Sequence, residues 1–200
     1  MKGRYFTNID LFINMKHLTT QEIENGLKEV LNAPINKGTL EMIVRRPSEN
    51  EREILAHGEL NCSEGLVGDN WKTKGSSKTP DGSAHPDMQL NIMNARFVNL
   101  IAHEKERWPL TGDQLFVDLD LSEANVPPGT QLAIGDDAVV EVTAIPHLGC
   151  KKFVERFGKD AMLFANSELG KVLHLRGVNA KVIVPGIIKT GDVVRLMYEN

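Results

Sequence analysis

Short apolar runs that alternate residue by residue, each cut off by proline or by a glycine–aspartate turn, recur from Thr39 to Leu196 and constrain this chain more than any other feature. The longest ordered stretch of this kind starts at Asp137. Val140, Val142 and Ala144 alternate with Val139, Glu141 and Thr143, the pattern of a half-buried strand. Pro146, which has no N–H to give, ends that ladder, and Gly149 permits a tight turn. Phe153, Val154 and Phe157 then fall at helical spacing, closed by Gly158. Cys150 stands where strand hands over to helix. Free amide donors and the positive end of the helix dipole favour a thiolate there, and Lys151 and Lys152 add positive charge. A free cysteine is just as often a small buried core residue, so position alone leaves both readings open.

The other runs place further elements. Thr19 and Glu22 stand at capping-box spacing ahead of Ile23, Leu27, Val30 and Leu31, predicting a helix over residues 19–32 that Pro34 stops. Leu40, Met42 and Val44 predict a strand over 39–46, ended by Pro47, with a short second strand over 54–60. Residues 64–86 read as one long polar loop in which Gly68, Asp69 and Asn70 can present amides and polar groups to an anion. A strand over 89–93 leads through Asn94, a good N-cap, into a helix over 95–107. Strands over 114–121, 131–134, 139–145 and 177–184 follow. Helices over 160–166 and 167–173 stand before the last of these, and a hairpin-like pair over 187–196 closes the chain. Many short strands with a few inserted helices give a mainly β, α+β architecture, a closed or partly closed barrel. Residues 1–38 form an N-terminal helical extension and residues 39–200 the barrel domain.

Composition narrows the function classes. The chain of 200 residues is 41% hydrophobic and 25% charged with a formal net charge of −4. That suits a globular domain with a sizeable core and disfavours general nucleic-acid binding, although Lys72, Lys74, Lys78, Lys151 and Lys152 can form a local basic patch. Cys62 and Cys150 are too far apart to suggest a disulfide framework or a zinc-ligand pair, which fits a reducing compartment. No run is long and apolar enough to span a bilayer, and the start lacks the apolar stretch of a signal peptide. A cytoplasmic location is expected. Gly-x-Gly-x-x-Gly is absent, so a redox activity needs an outside electron donor.

The order of six pieces resembles the MOSC family, named for the C-terminal domain of molybdenum cofactor sulfurase. They are Glu64-Gly-Leu-Val-Gly-Asp69, Gln89-Leu-Asn-Ile-Met-Asn94-Ala-Arg96, Gly112 to Ser122, Pro127 to Gly135, Pro146-His-Leu-Gly-Cys150 and Gly177-Val-Asn-Ala-Lys-Val. The likeness covers about Thr39 to Leu196. It implies a MOSC-like β-barrel whose one cysteine, here Cys150, ligates molybdenum in a pterin cofactor or carries sulfur for it. It also implies Cys150 and His147 as catalytic candidates and Gly68, Asp69, Asn70, Asn94, Gly149, Lys151 and Lys152 as cofactor-binding candidates. One departure stands out: many relatives carry a basic residue and then histidine after the Gly-Asp pair, where this chain has Asn70 and Trp71. The pyridoxal phosphate domain of the sulfurase has no counterpart in this chain.

Three functions follow as expectations. The first is a molybdenum-cofactor oxidoreductase that reduces small N-hydroxylated compounds with electrons from a donor protein. The second is a non-catalytic carrier in which Cys150 holds the cofactor or a persulfide. The third, a cysteine hydrolase pairing Cys150 with a histidine, lacks any conspicuous local signature. A soft thiolate suits a soft, redox-active metal, and an anionic pterin phosphate calls for lysines and backbone amides.

Overall fold

The computed structural model describes residues 16–197. The strands are β1 (Lys37–Arg45), β2 (Glu53–Leu55), β3 (His57–Asn61), β4 (Gly65–Leu66), β5 (Leu90–Asn94), β6 (Leu115–Asp118), β7 (Gln131–Ile134), β8 (Ala138–Val142), β9 (Val178–Val184), β10 (Gly186–Lys189) and β11 (Val193–Met197). The helices are α1 (Thr20–Leu31), α2 (Trp71–Lys74), α3 (Ala95–Ala102), α4 (Lys151–Phe157), α5 (Lys159–Ala165) and α6 (Glu168–Val172). Seven strands close into a barrel in the order β1-β11-β7-β8-β9-β5-β6 and back to β1, with β2 added at the rim. Strands β10, β3 and β4 form a second, small sheet. Only β5 and β6 run parallel among these pairings, and the crossover they need is supplied by α3 and a 3-10 turn at Lys105–Thr111. The fold is the α+β barrel expected.

Two apolar cores flank the barrel wall. Leu40, Ile92, Val117, Leu132, Val140 and Val194 fill the inside, while Ile23, Phe97, Trp108, Phe116, Phe153 and Phe157 bury the helices against its outside. In β1 the ladder shifts register between Leu40 and Met42, so Leu40 points inward and Met42 and Val44 outward, where simple alternation put all three on one face. The capping box of α1 is formed, with Glu22 accepting from the Thr19 backbone N–H, and the helix packs on α3 and α5. Residues 1–15 of the proposed N-terminal extension, and the last three residues of the barrel domain, lie outside the described residues.

Several boundaries differ from the sequence reading for local reasons. Helix α3 stops at Ala102 rather than near 107, because His103 adopts a left-handed backbone (φ 63°) and Pro109 forces the next turn into 3-10 geometry. Strand β8 ends at Val142, three residues before the expected end. The Thr143 N–H still donates to the Asn179 carbonyl of β9 while its hydroxyl donates to the Asp87 carbonyl, and Ala144 beyond it is exposed. The 187–196 pair is not a hairpin: β10 joins β3 while β11 joins β7 and β1. Thr190 and Gly191 instead donate to the carbonyls of Ala56 and Leu40, which splits the two strands between sheets. The 64–86 stretch, expected as one polar loop, begins with the buried strand β4, carries α2 and leads into a 3-10 turn at Pro86–Met88.

Candidate functional site

Cys150 is the N-cap residue of α4, in extended backbone conformation, and it is exposed. Its exposure removes the reading of a buried core cysteine. The segment before it is pinned to α5: the Gly149 N–H donates to Asn166 Oδ1 (2.8 Å) and the Gly149 carbonyl accepts from Asn166 Nδ2 (3.1 Å). A Cβ on Gly149 would sit 3.0 Å from Met162 Cγ, so glycine serves close approach here, without a left-handed turn.

The thiol opens onto a cleft of about 490 Å³. Arg46, Arg52, Arg156 and Arg176 line it, with Lys74, Lys152, His147 and Asn70. Each arginine comes from a different part of the chain. Arg46 leaves the end of β1 and is gripped by Asp69, which accepts from its Nε (2.9 Å), its Nη2 (2.8 Å) and its backbone N–H (2.9 Å). Its Nη1 donates to the Gly112 carbonyl at 2.7 Å. Arg176, just ahead of β9, is held by Asp113 through Nη1 (2.8 and 2.9 Å) and donates from Nη2 to the Thr111 carbonyl. Arg156, one turn along α4 from Lys152, donates to the Leu110 carbonyl. Arg52 donates to the carbonyls of Pro109 and Glu51. Burial, and then the nearby charges of Arg156 and Arg46, lower its pKa to about 10. Lys152 meets Glu49 at 2.5 Å. Among the described residues Arg52 and Arg156 form no ion pair, so the cleft carries positive charge in excess beside a free thiol.

His147 stands at the back of the cleft, with Nδ1 3.5 Å from Asp113 Oδ1, longer than a good hydrogen bond. Burial, then the Arg176 charge, lowers its pKa to about 3, so its imidazole is neutral near pH 7 and is no proton donor there. Burial of Asp113 opposes its ionisation, but the adjacent Arg176 charge outweighs that and holds its carboxyl below the usual carboxylate range. Both shifts have the same consequence. As pH falls from about 6.5 the unfolded chain protonates His147 while the folded chain does not, and below about 4 the same holds for Asp113. Stability is therefore lost on acidification. Comparing urea unfolding at pH 7 and pH 4, the wild type is expected to lose roughly 2–3 kcal/mol more than His147→Phe, at up to ~1.4 kcal/mol per pH unit. Equal losses would mean that His147 titrates normally in the fold.

The structure brings Cys150, His147, Asn70 and Lys152 together and places the other candidates elsewhere. Asp69 lies beneath the cleft with its carboxylate taken up by Arg46, the Trp71 N–H and Gln114. Gly68 (φ 79°) turns the chain where a Cβ would meet Arg45 Nη1 at 3.0 Å. Asn94 is buried, capping α3 through the N–H groups of Arg96 and Phe97 and donating to the Leu119 carbonyl. Lys151 points away, fully exposed beside Glu155. The four arginines were missed from sequence; only the i, i+4 relation of Lys152 and Arg156 signalled one of them.

No protein-family model matches the chain, and no curated protein matches it. Solved structures do. The chain is similar to the YuaD protein from Bacillus subtilis (TM-score 0.56, 15% identity) over 82% of its own length and 97% of that chain. It is similar to a hypothetical protein (TM-score 0.54, 22% identity) over 82% of its length and 68% of that chain. It also matches YiiM from Escherichia coli (TM-score 0.50, 22% identity) over 81% of its length and 71% of that chain. The fold is a MOSC-like α+β barrel. At these identities the likeness is one of fold, and the MOSC-like barrel places α4, with Cys150 at its start, over the arginine-lined cleft.

Proposed function

We propose that the cleft binds the molybdenum cofactor, with Cys150 as a thiolate ligand of the metal, and that the protein reduces small N-hydroxylated compounds with electrons from a separate donor protein in the cytoplasm. One juxtaposition carries the reading: an exposed thiol opening onto a cleft with an excess of guanidinium groups. Desolvated, mutually repelling cations such as Arg52 and Arg156 are relieved by an anion, and a pterin phosphate supplies one. Among the described residues no group of three or more His, Cys, Asp or Glu could hold a metal by itself, so a metal here must bring its other ligands with it. The residues fit the group.

When bound, the cofactor supplies two-electron redox chemistry: an N–OH group, two electrons and two protons become N–H and water. The chain's own part is placement. Cys150 offers a soft ligand from an N-cap position, and Arg46 and Arg176, each held by a buried carboxylate, line the cleft that would take the anion. Arg52, Arg156 and Lys152 complete the basic rim. His147 gives a neutral hydrogen-bonding wall. The deciding measurement is elemental analysis of protein from a host that makes the cofactor, followed by turnover of an N-hydroxylated base with a reduced dye as donor. About one molybdenum per chain with turnover is the expected result. Because Cys150 is exposed and its side chain makes no capping bond, a carrier role has its own signature: a persulfide on Cys150 by mass spectrometry, without turnover.

A further inference from the structure

Among the described residues, the cleft beside Cys150 is lined by six cationic side chains, Arg46, Arg52, Lys74, Lys152, Arg156 and Arg176, and by one acidic side chain, Glu49. Glu49 belongs to the turn between β1 and β2, whereas Lys152 stands in the first turn of α4. Their side chains meet at 2.5 Å, which ties that turn to the helix beginning at Cys150. The hydrogen bond from Lys152 holds the Glu49 carboxyl below its usual range, and Lys74 adds a weaker pull the same way. Both partners stay open to water: the Glu49 side chain is 74% exposed and that of Lys152 51%. Exposed, screened pairs contribute little to a fold, so holding the turn in place does not account for an acid in this lining.

We propose that Glu49 is a built-in competitor at this site: its carboxylate and an anionic ligand vie for Lys152, and the ligand's arrival turns Glu49 out into solvent. The exchange runs on charge. A phosphate group carries about −1.5 to −2 at pH 7 and has three strong acceptor oxygens, against one charge and two oxygens on the carboxylate, so it takes the lysine. Glu49 leaves at little cost because its side chain is already mostly in water. Being tethered, it nevertheless competes at a high effective concentration, so the ligand binds more weakly than the cations of the cleft alone would hold it. Glu49 thereby sets how tightly an anion is kept and how readily it leaves. The inference deepens the reading above and rests on the cleft taking an anion, but it requires no molybdenum.

The test titrates cofactor-free, full-length protein with inorganic phosphate by calorimetry at low ionic strength. Glu49→Gln is expected to bind phosphate about fivefold more tightly than the wild type, the effect of removing one nearby negative charge. Glu51→Gln removes the same charge from an exposed position on the same turn but outside the cleft lining, and should change the affinity by about twofold or less. In a Lys152→Ala background Glu49 has lost its partner, so the gain from Glu49→Gln should fall to the level of Glu51→Gln. Equal phosphate affinity of wild type and Glu49→Gln would overturn the proposal and leave an anion-binding cleft standing. An equal gain in Glu51→Gln, or a gain that persists in full without Lys152, would overturn it by making the effect one of net charge. Should Lys152→Ala bind too weakly to measure, the comparison with Glu51→Gln still decides. No phosphate bound by wild type or Glu49→Gln would overturn it together with the anion reading of the cleft. Tighter phosphate in Glu49→Gln, with no molybdenum in either protein, would keep the competitor and remove the cofactor.

Discussion

Asp69→Ala is expected to lower the unfolding free energy by about 3–5 kcal/mol, the usual cost of removing one partner from a buried ion pair. For a chain of this size that is a fall in Tm of roughly 6–20 °C. The Asp69 side chain is fully buried and that of Arg46 is only 14% exposed, so neither charge can turn to water when the other is lost. The aspartate also accepts from the backbone of Arg46 and of Trp71, which ties the exit of β1 to the start of α2. Its loss frees five donors at once. The contrasting variant is Glu168→Ala. Glu168 pairs with Lys171 at 2.9 Å, but its side chain is almost wholly exposed, and screened surface pairs of this kind contribute ~0–1 kcal/mol. Thermal or urea unfolding of the two variants side by side checks the expectation. A Tm for Asp69→Ala within a few degrees of wild type would mean that Arg46 finds another partner, and that Asp69 does not set the cleft's geometry.

The two buried aspartates share one design. Asp69 and Asp113 each hold an arginine that reaches into the cleft, Arg46 and Arg176, and each is itself out of solvent. A guanidinium fixed in this way keeps its direction without a ligand. The resemblance singled out Asp69 as a residue that touches cofactor. The geometry gives it a different place, one layer down, where it orients the side chain that faces the cleft.

What was legible in the sequence was whatever is local. The alternation of Val139 to Val142, the Thr19–Glu22 capping box and the run from Cys150 to Gly158 each depend on residues close in the chain, and each appears with its ends within a few positions. Failures came where distant segments decide. Whether 187–196 is a hairpin depends on β3 and β7 competing for its two halves, and the helix after Asn94 is cut short at His103. The site splits along the same line. Cys150, His147 and Lys152 lie within six positions and were found together. Arg46, Arg52 and Arg176 come from the end of β1, the loop before β2 and the approach to β9, and only closure of the barrel assembles them. No spacing rule joins them. Beyond its i, i+4 spacing from Lys152, Arg156 also stands in an apolar neighbourhood between Phe153 and Phe157, a further sequence trace of such burial.

The largest functional effect is expected from Cys150→Ser. In the cofactor-free protein this change should cost ~1 kcal/mol or less, because Cys150 is exposed and its side chain caps nothing, which makes it an ordinary surface substitution. Molybdenum retention and reduction of an N-hydroxylated compound should fall to background. A serine hydroxyl stays protonated near neutral pH and is a hard, weak ligand for a soft metal. The comparison has to be made on cofactor-free protein, because a bound ligand adds its own stability and its loss would look like damage to the fold. Measured together, Tm of the cofactor-free protein and molybdenum per chain separate the roles. An unchanged Tm with lost metal assigns Cys150 to the metal. A serine variant with wild-type metal content and turnover would take Cys150 out of the mechanism and leave the arginine cleft as an anion site of another kind.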